Sequence, residues 1–304
     1  MHDAIVIGGG PAGLSAALVL ARARRDVLLI DSNLGRNRRA SEIHGFLTRD
    51  CTAPADFLRE ARRDVERYGV RVDQGEAVHA ERSADGAFTV RYRALEPGGA
   101  ERSSRSRKLL LATGMRDCLP AIEGVEAFYG VSVHHCPYCD GYEHRDKRLV
   151  AYGHGDRAVG LALSLRTWSP HVTACTDGGP VRDELAARAL TMKIPIRSER
   201  VRALSGEGAA LQEVRFESGR PLACDALFFN TGQVQRSDLP RLLGCSFKED
   251  GGVKTSSRQC AGVPGLFVAG DADRDVEFVI VAAAEGATAA VAINAELQRE
   301  ETGG

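Results

Sequence analysis

The stretch "HHCPYCDG" at residues 134–141 contains two cysteines and an aspartate in a spacing suited to redox chemistry. The two residues between Cys136 and Cys139 let their sulfurs bridge across a single turn, and the surroundings of such pairs depress one thiol pKa. Asp140, directly after the pair, is a candidate proton donor or acceptor. An aspartate in an exposed turn or at a helix cap would look the same in the sequence.

Two other interpretations of the cysteine pair are open. The pair could be inert and buried, or it could begin a zinc site. Closed zinc sites usually supply their ligands as two clustered pairs, whereas the other six cysteines of this chain stand singly. We therefore favour a reversible disulfide and expect no metal. The nearby histidines, which could complete a zinc site or simply make hydrogen bonds, are His134, His135 and His144.

The composition is that of an ordinary globular enzyme. The 304 residues are 43% hydrophobic and 27% charged, with a formal net charge of −1, so nothing favours nucleic acid or an anionic membrane as a partner. The apolar N-terminus is interrupted by glycines and lacks the features of a signal peptide. Eight cysteines in a chain this long do not form a secreted disulfide framework, so we expect a cytoplasmic location.

The elements that must position this chemistry begin with a strand–helix–strand unit. "AIVIG" predicts a buried strand, "GLSAALVLARAR" a helix and "DVLLID" a second strand. The turn between the first two is a Gly-x-Gly-x-x-Gly motif, whose glycines let a pyrophosphate approach the backbone N–H groups, while an acid after the second strand can hold a ribose hydroxyl. This context predicts dinucleotide binding. The residues expected to form the site are Gly8, Gly10, Pro11, Ala12, Gly13 and Asp31.

The same order of elements recurs later in the chain. "RLVAYG", "GDRAVGLALSLRTW" and "HVTACT" predict a second strand–helix–strand unit that again opens on a glycine turn. Two such units indicate an α/β fold with parallel sheets and two nucleotide-binding domains. "ATG" at residues 112–114 and "AGD" at residues 269–271 each end a strand, where such sheets place their ligands. Together with the N-terminal motif they favour FAD in the first domain.

The remaining segments support this organisation. "FTVRYRAL" and "SSRSRKLLLATG" have strand-like patterns around an expected exposed loop at residues 96–106. "GLFVAGDA" predicts a strand, and a helix should follow at about residues 278–297. "REARRDVERY" alternates in charge and predicts a helix with a solvated face. The single cysteines are expected to be small core residues, and they are Cys51, Cys118, Cys175, Cys224, Cys245 and Cys260.

The order of these motifs resembles the low-molecular-weight thioredoxin reductases over nearly the whole chain. "GGGPAG", "ATG", "CPYCDG", a second glycine motif and "GLFVAGDA" carry the resemblance. It implies an α/β fold with two Rossmann-like, three-layer (ββα-type) nucleotide-binding domains. The FAD domain would be discontinuous, at residues 1–116 and 246–304, with an NAD(P)-type domain at residues 117–245 that carries the redox pair. The resemblance also implies a homodimer.

The resemblance assigns roles to individual residues. Cys139 would face the flavin, Cys136 would exchange with the substrate, and Asp140 would handle protons. The further FAD contacts that it implies are Asn37, His44, Ala112, Thr113, Gly114, Gly270, Asp271, Phe278 and Val279.

The second glycine motif departs from the family pattern. It has Gly153 and Gly155, with Ala158 in the third place. Members that use NADPH carry a His-Arg-Arg motif after the next strand, where this chain has "TDG" at residues 176–178. A carboxylate there disfavours the 2′-phosphate by on the order of 1–3 kcal/mol or more, so the NADPH site looks degraded. Asp177 could hold an NAD ribose instead, the domain could have lost nucleotide binding, or an arginine elsewhere could replace the missing pair.

A second departure lies before the C-terminal helix. Glu277 and Phe278 stand where thioredoxin reductases have an Arg-Gln pair. "CPYCDGYE" and "HGFLTRD" are more similar to the related dithiol oxidases, such as gliotoxin and holomycin oxidase, which pass electrons to oxygen. In that group His135 could help to deprotonate the substrate thiol. We predict an FAD-dependent oxidase of a small-molecule dithiol. The alternatives are an NAD(P)H-dependent reductase of a thioredoxin-like protein and a redox-sensing flavoprotein without turnover.

Overall fold

The computed structural model describes residues 1–96, 98–274 and 276–303. Its strands are β1 (His2–Ile7), β2 (Val27–Asp31), β3 (Arg71–Arg82), β4 (Phe88–Ala94), β5 (Glu101–Leu111), β6 (Met115–Asp117), β7 (Val133–His134), β8 (Leu149–Tyr152), β9 (Val172–Cys175), β10 (Ile196–Arg197), β11 (Val201–Glu207), β12 (Ala210–Phe216), β13 (Leu222–Ala223), β14 (Ala226–Phe229), β15 (Gln233–Gln235) and β16 (Leu266–Val268). Its helices are α1 (Pro11–Arg22), α2 (Pro54–Arg67), α3 (Val125–Phe128), α4 (Pro137–Asp140), α5 (Asp156–Leu165), α6 (Asp183–Thr191), α7 (Leu239–Leu242) and α8 (Val279–Thr302), and short 3-10 turns cover Arg36–Arg39 and Asp271–Asp273.

The chain forms two compact units. Unit 1 contains Met1–Arg38, Gly45–Arg116 and Val234–Gly304, and unit 2 contains Arg39–His44 and Asp117–Gln233. The sequence placed the return to the first domain at residue 246, but the chain re-enters unit 1 at residue 234. The reason is that Leu239, Leu243 and Cys245 are buried in the core of unit 1, so α7 and the turn after it belong there.

Unit 1 is built on one sheet that has a parallel part and an antiparallel part. The parallel part runs in the order β3–β2–β1–β5–β16. The far half of β3, all of β4 and the first half of β5 pair antiparallel and form a second layer. The long strands β3 and β5 take part in both layers, which makes one continuous hydrogen-bonded structure of the two.

Alternating side chains of β1 face the two sides of the parallel sheet, because successive strand residues point to opposite faces. Ala4 and Val6 face the core that holds α1 and α8. Ile5 and Ile7 face the antiparallel layer, where they join Phe88 and other residues of β4. Unit 1 thus has helix, parallel-sheet and antiparallel layers, which confirms the predicted three-layer architecture.

The C-terminal helix α8 runs five residues beyond the predicted end. By length and composition alone it could cross a membrane. One of its faces is nevertheless in the core beside α1, where Ala289, Ile293 and Leu297 are fully buried. We interpret it as a core helix of unit 1.

Unit 2 repeats the layered arrangement on a smaller scale. Its parallel sheet has the order β10–β9–β8–β14–β7, and β11, β12 and β13 form an antiparallel sheet. Leu149 and Ala151 of β8 face the core that contains α5, while Val150 and Tyr152 face the core that contains β11 and β12. The recurring strand–helix–strand unit therefore folds as the sequence predicted.

Two expectations about local structure are wrong. The expected loop at residues 96–106 is too long, because residues 101–106 belong to β5, and only residues 103–106 of these were covered by the predicted strand; their pairing with β4 uses backbone groups and needs no apolar pattern. Cys51 is exposed rather than buried and has a positive φ of 60° in a turn-rich segment. Cys118 and Cys260 are only partly buried, while Cys175, Cys224 and Cys245 are core residues as predicted.

Candidate active site

The first glycine turn packs tightly against neighbouring backbone at Gly8 and Gly13, but it has open space at Gly10, at the N-terminus of α1. Gly8 has a φ of +110°, and a Cβ there would lie 2.2 Å from Ala112 O. A Cβ on Gly13 would lie 1.9 Å from Gly8 O. Gly10, the N-cap of α1, is different, because a Cβ there would meet no described atom within 4 Å. Pro11 follows as the first helical residue, so the turn leaves space where a pyrophosphate could approach the backbone.

Two strand ends lie at the carboxyl edge of the same parallel sheet. Ala112–Gly114 follow β5, and the side-chain oxygen of Thr113 is buried without a hydrogen-bond partner among the described residues. Gly270 follows β16 with a φ of +75°, and a Cβ there would be 2.9 Å from the Cβ of Ala12. A buried orphan hydroxyl and glycines that permit close approach fit a dinucleotide at this edge. The residues present therefore suit the flavin dinucleotide that the sequence implies.

Asp31 ends β2 and is already hydrogen-bonded within unit 1. Its Oδ1 accepts from the N–H groups of Gly9 (3.1 Å) and Asn33 (3.2 Å), and its Oδ2 is paired with the guanidinium of Arg62. A Cβ on Gly9 would collide with this carboxylate. Asp31 therefore fixes the glycine turn directly, and its predicted contact with a ribose hydroxyl stays a prediction.

Sequence reasoning missed Arg36, which organises the edge after β16. Its Nη1 lies 3.0 Å from Asp271 Oδ2 and 2.6 Å from Glu277 Oε2, and its side chain is only 10% exposed. It thus links Asp271, a predicted FAD contact, to Glu277, which stands where thioredoxin reductases have an arginine. Within "GRNRR" nothing distinguishes Arg36 from its neighbours, so only the folded chain reveals this role.

The positions of the other predicted FAD contacts do not indicate a role in cofactor binding. Asn37 is exposed in the 3-10 turn at Arg36–Arg39, and Phe278 is the half-buried N-cap of α8, followed by Val279. His44 belongs to unit 2 by its contacts, and its Nε2 lies 3.9 Å from Glu42 and 3.8 Å from Glu143. Their roles in cofactor binding stay predictions.

The redox pair lies on the short helix α4 of unit 2. Cys136 is the N-cap and Cys139 is in the single turn that follows, with their Cα atoms 5.3 Å apart and their sulfurs joined as a disulfide. The N–H of Cys139 also donates to the Sγ of Cys136 at 3.1 Å. Pro137 opens the helix, where its missing N–H costs nothing. The Cys-x-x-Cys motif thus forms the predicted disulfide.

Asp140 is paired with His134, not with the histidine next to the cysteine. Asp140 Oδ1 lies 3.2 Å from the Nδ1 of His134, whose Nε2 lies 2.9 Å from the Nε2 of His144. Burial alone would raise the pKa of the Asp140 carboxyl, but the hydrogen bond from His134 and the charges of the neighbouring histidines lower it below its usual value. Asp140 is therefore held as a carboxylate near the disulfide.

His135, the predicted catalytic histidine, has different neighbours. Its Nδ1 lies 3.4 Å from the hydroxyl of Tyr129 and 3.7 Å from Asp117 Oδ2. The Asp117 carboxylate also accepts a hydrogen bond from Tyr129 at 3.0 Å. The structure thus brings Cys136, Cys139 and Asp140 together at α4, and it places His135 beside Tyr129 and Asp117.

The second glycine motif is closed by the loop that follows β9. The N–H of Gly155 donates to Thr176 O at 3.0 Å, and a Cβ on Gly155 would be 2.3 Å from Pro180 O. Asp156, the first residue of α5, accepts from both the backbone N–H (2.9 Å) and the Nε (2.5 Å) of Arg182. These hydrogen bonds hold the pKa of Asp156 below its usual value. The first residue of α5 is therefore a carboxylate that is bonded to Arg182.

Both carboxylate oxygens of Asp177 accept a hydrogen bond inside unit 2. Its Oδ2 accepts from the hydroxyl of Tyr152 at 2.8 Å, and its Oδ1 accepts from the N–H of Val201 at 3.0 Å. Burial and this carboxylate together raise the pKa of Tyr152. Asp177 thus ties β8 to β11, and its predicted contact with an NAD ribose stays a prediction.

Comparisons with known proteins agree with this architecture. Residues 2–286 match the family model of the pyridine nucleotide-disulphide oxidoreductases. The thioredoxin reductase tcpT of Claviceps purpurea is 34% identical over 284 residues, which cover 88% of this chain and 86% of tcpT. The crystal structure of HlmI matches with a TM-score of 0.92 and 36% identity, over 99% of this chain and 94% of HlmI. The oxidoreductase from Agrobacterium tumefaciens matches with a TM-score of 0.88 and 33% identity, over 98% of both chains.

Proposed function

We propose that this protein uses FAD to oxidise a small-molecule dithiol to a disulfide, with oxygen as the final acceptor. The chain belongs to the pyridine nucleotide-disulphide oxidoreductase family, as a flavin-dependent disulfide oxidoreductase of the thioredoxin-reductase type. The redox disulfide supports thiol–disulfide exchange. The open turn at Gly10 and the orphan hydroxyl of Thr113 support flavin binding in unit 1. The homodimer and the cytoplasmic location stay predictions.

The observation that carries this proposal is the state of the second glycine motif. Asp156 stands at the first position of α5, where a lone carboxylate about 4 Å from a pyrophosphate would repel it by about 1–4 kcal/mol, and the ion pair with Arg182 reduces this repulsion. Arg182, which could have held a phosphate, is bonded to Asp156. The segment after β9 offers the carboxylate of Asp177 in place of arginines. These features argue against a nicotinamide nucleotide as the electron source, and they support a thiol substrate as the source of the electrons.

The disulfide half-reaction balances without another reagent. A substrate thiolate attacks the Sγ of Cys136, and the bond to Cys139 breaks with its electron pair on Cys139. The second substrate thiolate then attacks the first substrate sulfur and displaces Cys136. The substrate leaves as a disulfide, and both cysteines become thiols. FAD, when bound, supplies the two-electron acceptor that re-oxidises the dithiol and can pass the electrons to oxygen.

The names of the relatives favour a second candidate. Several are called thioredoxin reductases, which would make this protein a reductase of a thioredoxin-like disulfide. That reaction runs the same exchange in the opposite direction and needs NADH or NADPH as the reductant. The two candidates therefore differ in one measurable property, which is the compound that supports turnover.

Oxygen consumption by the purified flavoprotein tests the proposal, with dithiothreitol as the probe dithiol. We expect oxygen uptake that needs no nicotinamide and that Cys136→Ser abolishes, because the substrate can no longer form the mixed disulfide. The matched control is Cys260→Ser in unit 1, which should keep wild-type turnover. Oxygen uptake that survives Cys136→Ser, or that requires NADH or NADPH, would refute the proposal.

A further inference from the structure

Three ionisable side chains form a connected group beside the redox disulfide in unit 2. They come from three different elements: His134 from β7, Asp140 from α4 and His144 from the turn after α4. His134 is in the middle, with Asp140 at 3.2 Å on one ring nitrogen and His144 at 2.9 Å on the other. His134 and His144 are both buried. Asp140 links them to the disulfide, because it directly follows Cys139.

The neighbours of His134 can complete the hydrogen bonds of both its neutral and its protonated ring. Its Nδ1 faces the Asp140 carboxylate, which can only accept, so Nδ1 carries a hydrogen. Its Nε2 faces both Val131 O at 3.1 Å and the Nε2 of His144. A protonated Nε2 donates to the carbonyl of Val131, and a bare Nε2 accepts from a His144 N–H. The ring can therefore gain or lose one proton without turning, provided that the Nε2 of His144 is bare when His134 is protonated and carries hydrogen when His134 is neutral.

His144 is suited to the state in which the Nε2 of His134 is bare. Burial, followed by the charges of His134 and Lys147, lowers the pKa of His144 to about 4, so the ring is neutral at physiological pH. Its Nδ1 is buried without a hydrogen-bond partner among the described residues. The tautomer with hydrogen on Nε2 directs that hydrogen towards His134, and it leaves only a lone pair at the unpartnered Nδ1. An unpaired buried N–H would cost about 1–3 kcal/mol.

The environment keeps the two imidazoles away from bulk water. The ring of Phe228 packs against both imidazoles, with centroid distances of 5.3 Å to His134 and 6.1 Å to His144. The other charges that act on the group are His135, whose charge helps to lower the pKa of Asp140, and Lys147, which acts on His144. Low polarity around a hydrogen-bonded chain strengthens its electrostatic coupling.

From these contacts we propose that His134, backed by His144, is a positioning residue that makes Asp140 a reversible proton store for thiol–disulfide exchange at Cys136–Cys139. The inference rests on the proposed function and deepens it. In the first exchange the substrate thiol gives its proton to the Asp140–His134 pair, its sulfur bonds to Cys136, and Cys139 leaves as a thiolate. The stored proton passes to Cys139. In the second exchange the other thiol proton takes the same route and ends on Cys136.

Alkylation of the reduced protein tests this role without measuring turnover. The holoenzyme is reduced anaerobically and desalted, and the rate at which iodoacetamide modifies Cys136 and Cys139 is followed from pH 5 to 10 by peptide mass spectrometry. His134→Gln keeps a donor towards Asp140 but cannot carry charge, so the Asp140 carboxylate stays uncompensated and disfavours a nearby thiolate. We expect the midpoint to rise by about one pH unit, with about tenfold slower alkylation at pH 7. His171→Gln, in the same unit, should match wild type.

Pairing this change with Asp140→Asn shows whether His134 acts through Asp140. In the Asp140→Asn background, His134→Gln should move the midpoint no further, because coupled residues are not additive. An unshifted profile in His134→Gln would overturn the proposal, and so would an equal shift in both backgrounds. A purely structural role would lower stability and leave the midpoint unchanged.

A measurement on the unmodified protein covers the case in which His134→Gln fails to fold. In ¹⁵N-histidine NMR spectra at pH 7, His134 should carry hydrogen on Nδ1, and His144 should be the neutral Nε2–H tautomer. A bare Nδ1 on His134 would overturn the proposal. Both readouts are independent of the electron acceptor, so they can support the proton store even if the oxygen-uptake test refutes the oxidase.

Discussion

Replacing Gly10 by alanine should separate flavin binding from folding. Gly10 has φ −80° and ψ −175°, which alanine adopts without strain, and its new Cβ would meet no described atom within 4 Å. The folded chain therefore has room for the methyl group. That room is the space through which a pyrophosphate would have to approach the N-terminus of α1.

The expected magnitudes differ strongly between binding and folding. If the methyl group prevents two charge-assisted hydrogen bonds to the pyrophosphate, each worth about 1.5–3 kcal/mol, binding weakens by about 3–6 kcal/mol. This corresponds to about a 10²- to 10⁴-fold higher Kd. Alanine is a poorer N-cap than glycine, so the free energy of unfolding should fall by no more than about 1 kcal/mol.

Flavin titration of the apoprotein and urea unfolding measure the two quantities. Gly13→Ala is the contrasting variant, because its Cβ would lie 1.9 Å from Gly8 O and should lower the free energy of unfolding by about 1–3 kcal/mol. Gly160→Ala, at an open position in α5, should bind flavin as wild type does and gain up to about 1 kcal/mol of stability. Wild-type flavin affinity in Gly10→Ala would refute the assignment of the first glycine turn as the pyrophosphate site.

Two further predictions concern the stability and reactivity of the folded chain. Lys108→Met removes the buried ammonium that bonds Glu296 at 2.7 Å and Glu300 at 2.6 Å, and urea unfolding at pH 7 should show a loss of about 1–3 kcal/mol. Burial would raise the pKa of Glu300, but Lys108 and Arg107 lower it, so this difference should shrink as the pH falls below about 4.5; a difference that grows in acid would contradict it. A thiol reagent at pH 8 should label Cys51 first in the native oxidised protein, and early labelling of the buried thiols would contradict the described core. Burial raises the pKa of those thiols to about 12, 12 and 11 for Cys175, Cys224 and Cys245, respectively.

The sequence was sufficient for the main architecture because both nucleotide-binding units carry strong local signals. Buried strands, glycine turns and helices follow each other with short spacing in β1–α1–β2 and in β8–α5–β9. The start of β5 was placed two residues too late and the loop before it extended too far, since "ERSSRS" has no apolar face and its pairing with β4 depends on backbone hydrogen bonds. Cys51 was expected in the core because composition favours burial of single cysteines, whereas its surface turn is a property of the surrounding chain.

The candidate site could be predicted only where its residues are close in sequence. Cys136, Cys139 and Asp140 share one turn, so their spacing was enough to identify them. The partner of Asp140 was not predictable, because His134 and His135 are both adjacent to the pair and only the direction of β7 decides which one reaches it. Arg36 acts on residues more than 230 positions away, and such contacts leave no local pattern.

Anaerobic reduction of the purified flavoprotein tests the central claim most directly. Dithiothreitol, NADH and NADPH are added separately, and the flavin absorbance is followed by stopped-flow spectroscopy. The account predicts rapid bleaching by dithiothreitol, which Cys136→Ser prevents. It predicts no rapid bleaching by either nicotinamide, because Asp156 is paired with Arg182 and a carboxylate, Asp177, stands in place of phosphate-binding arginines. Rapid bleaching by NADH or NADPH would contradict it.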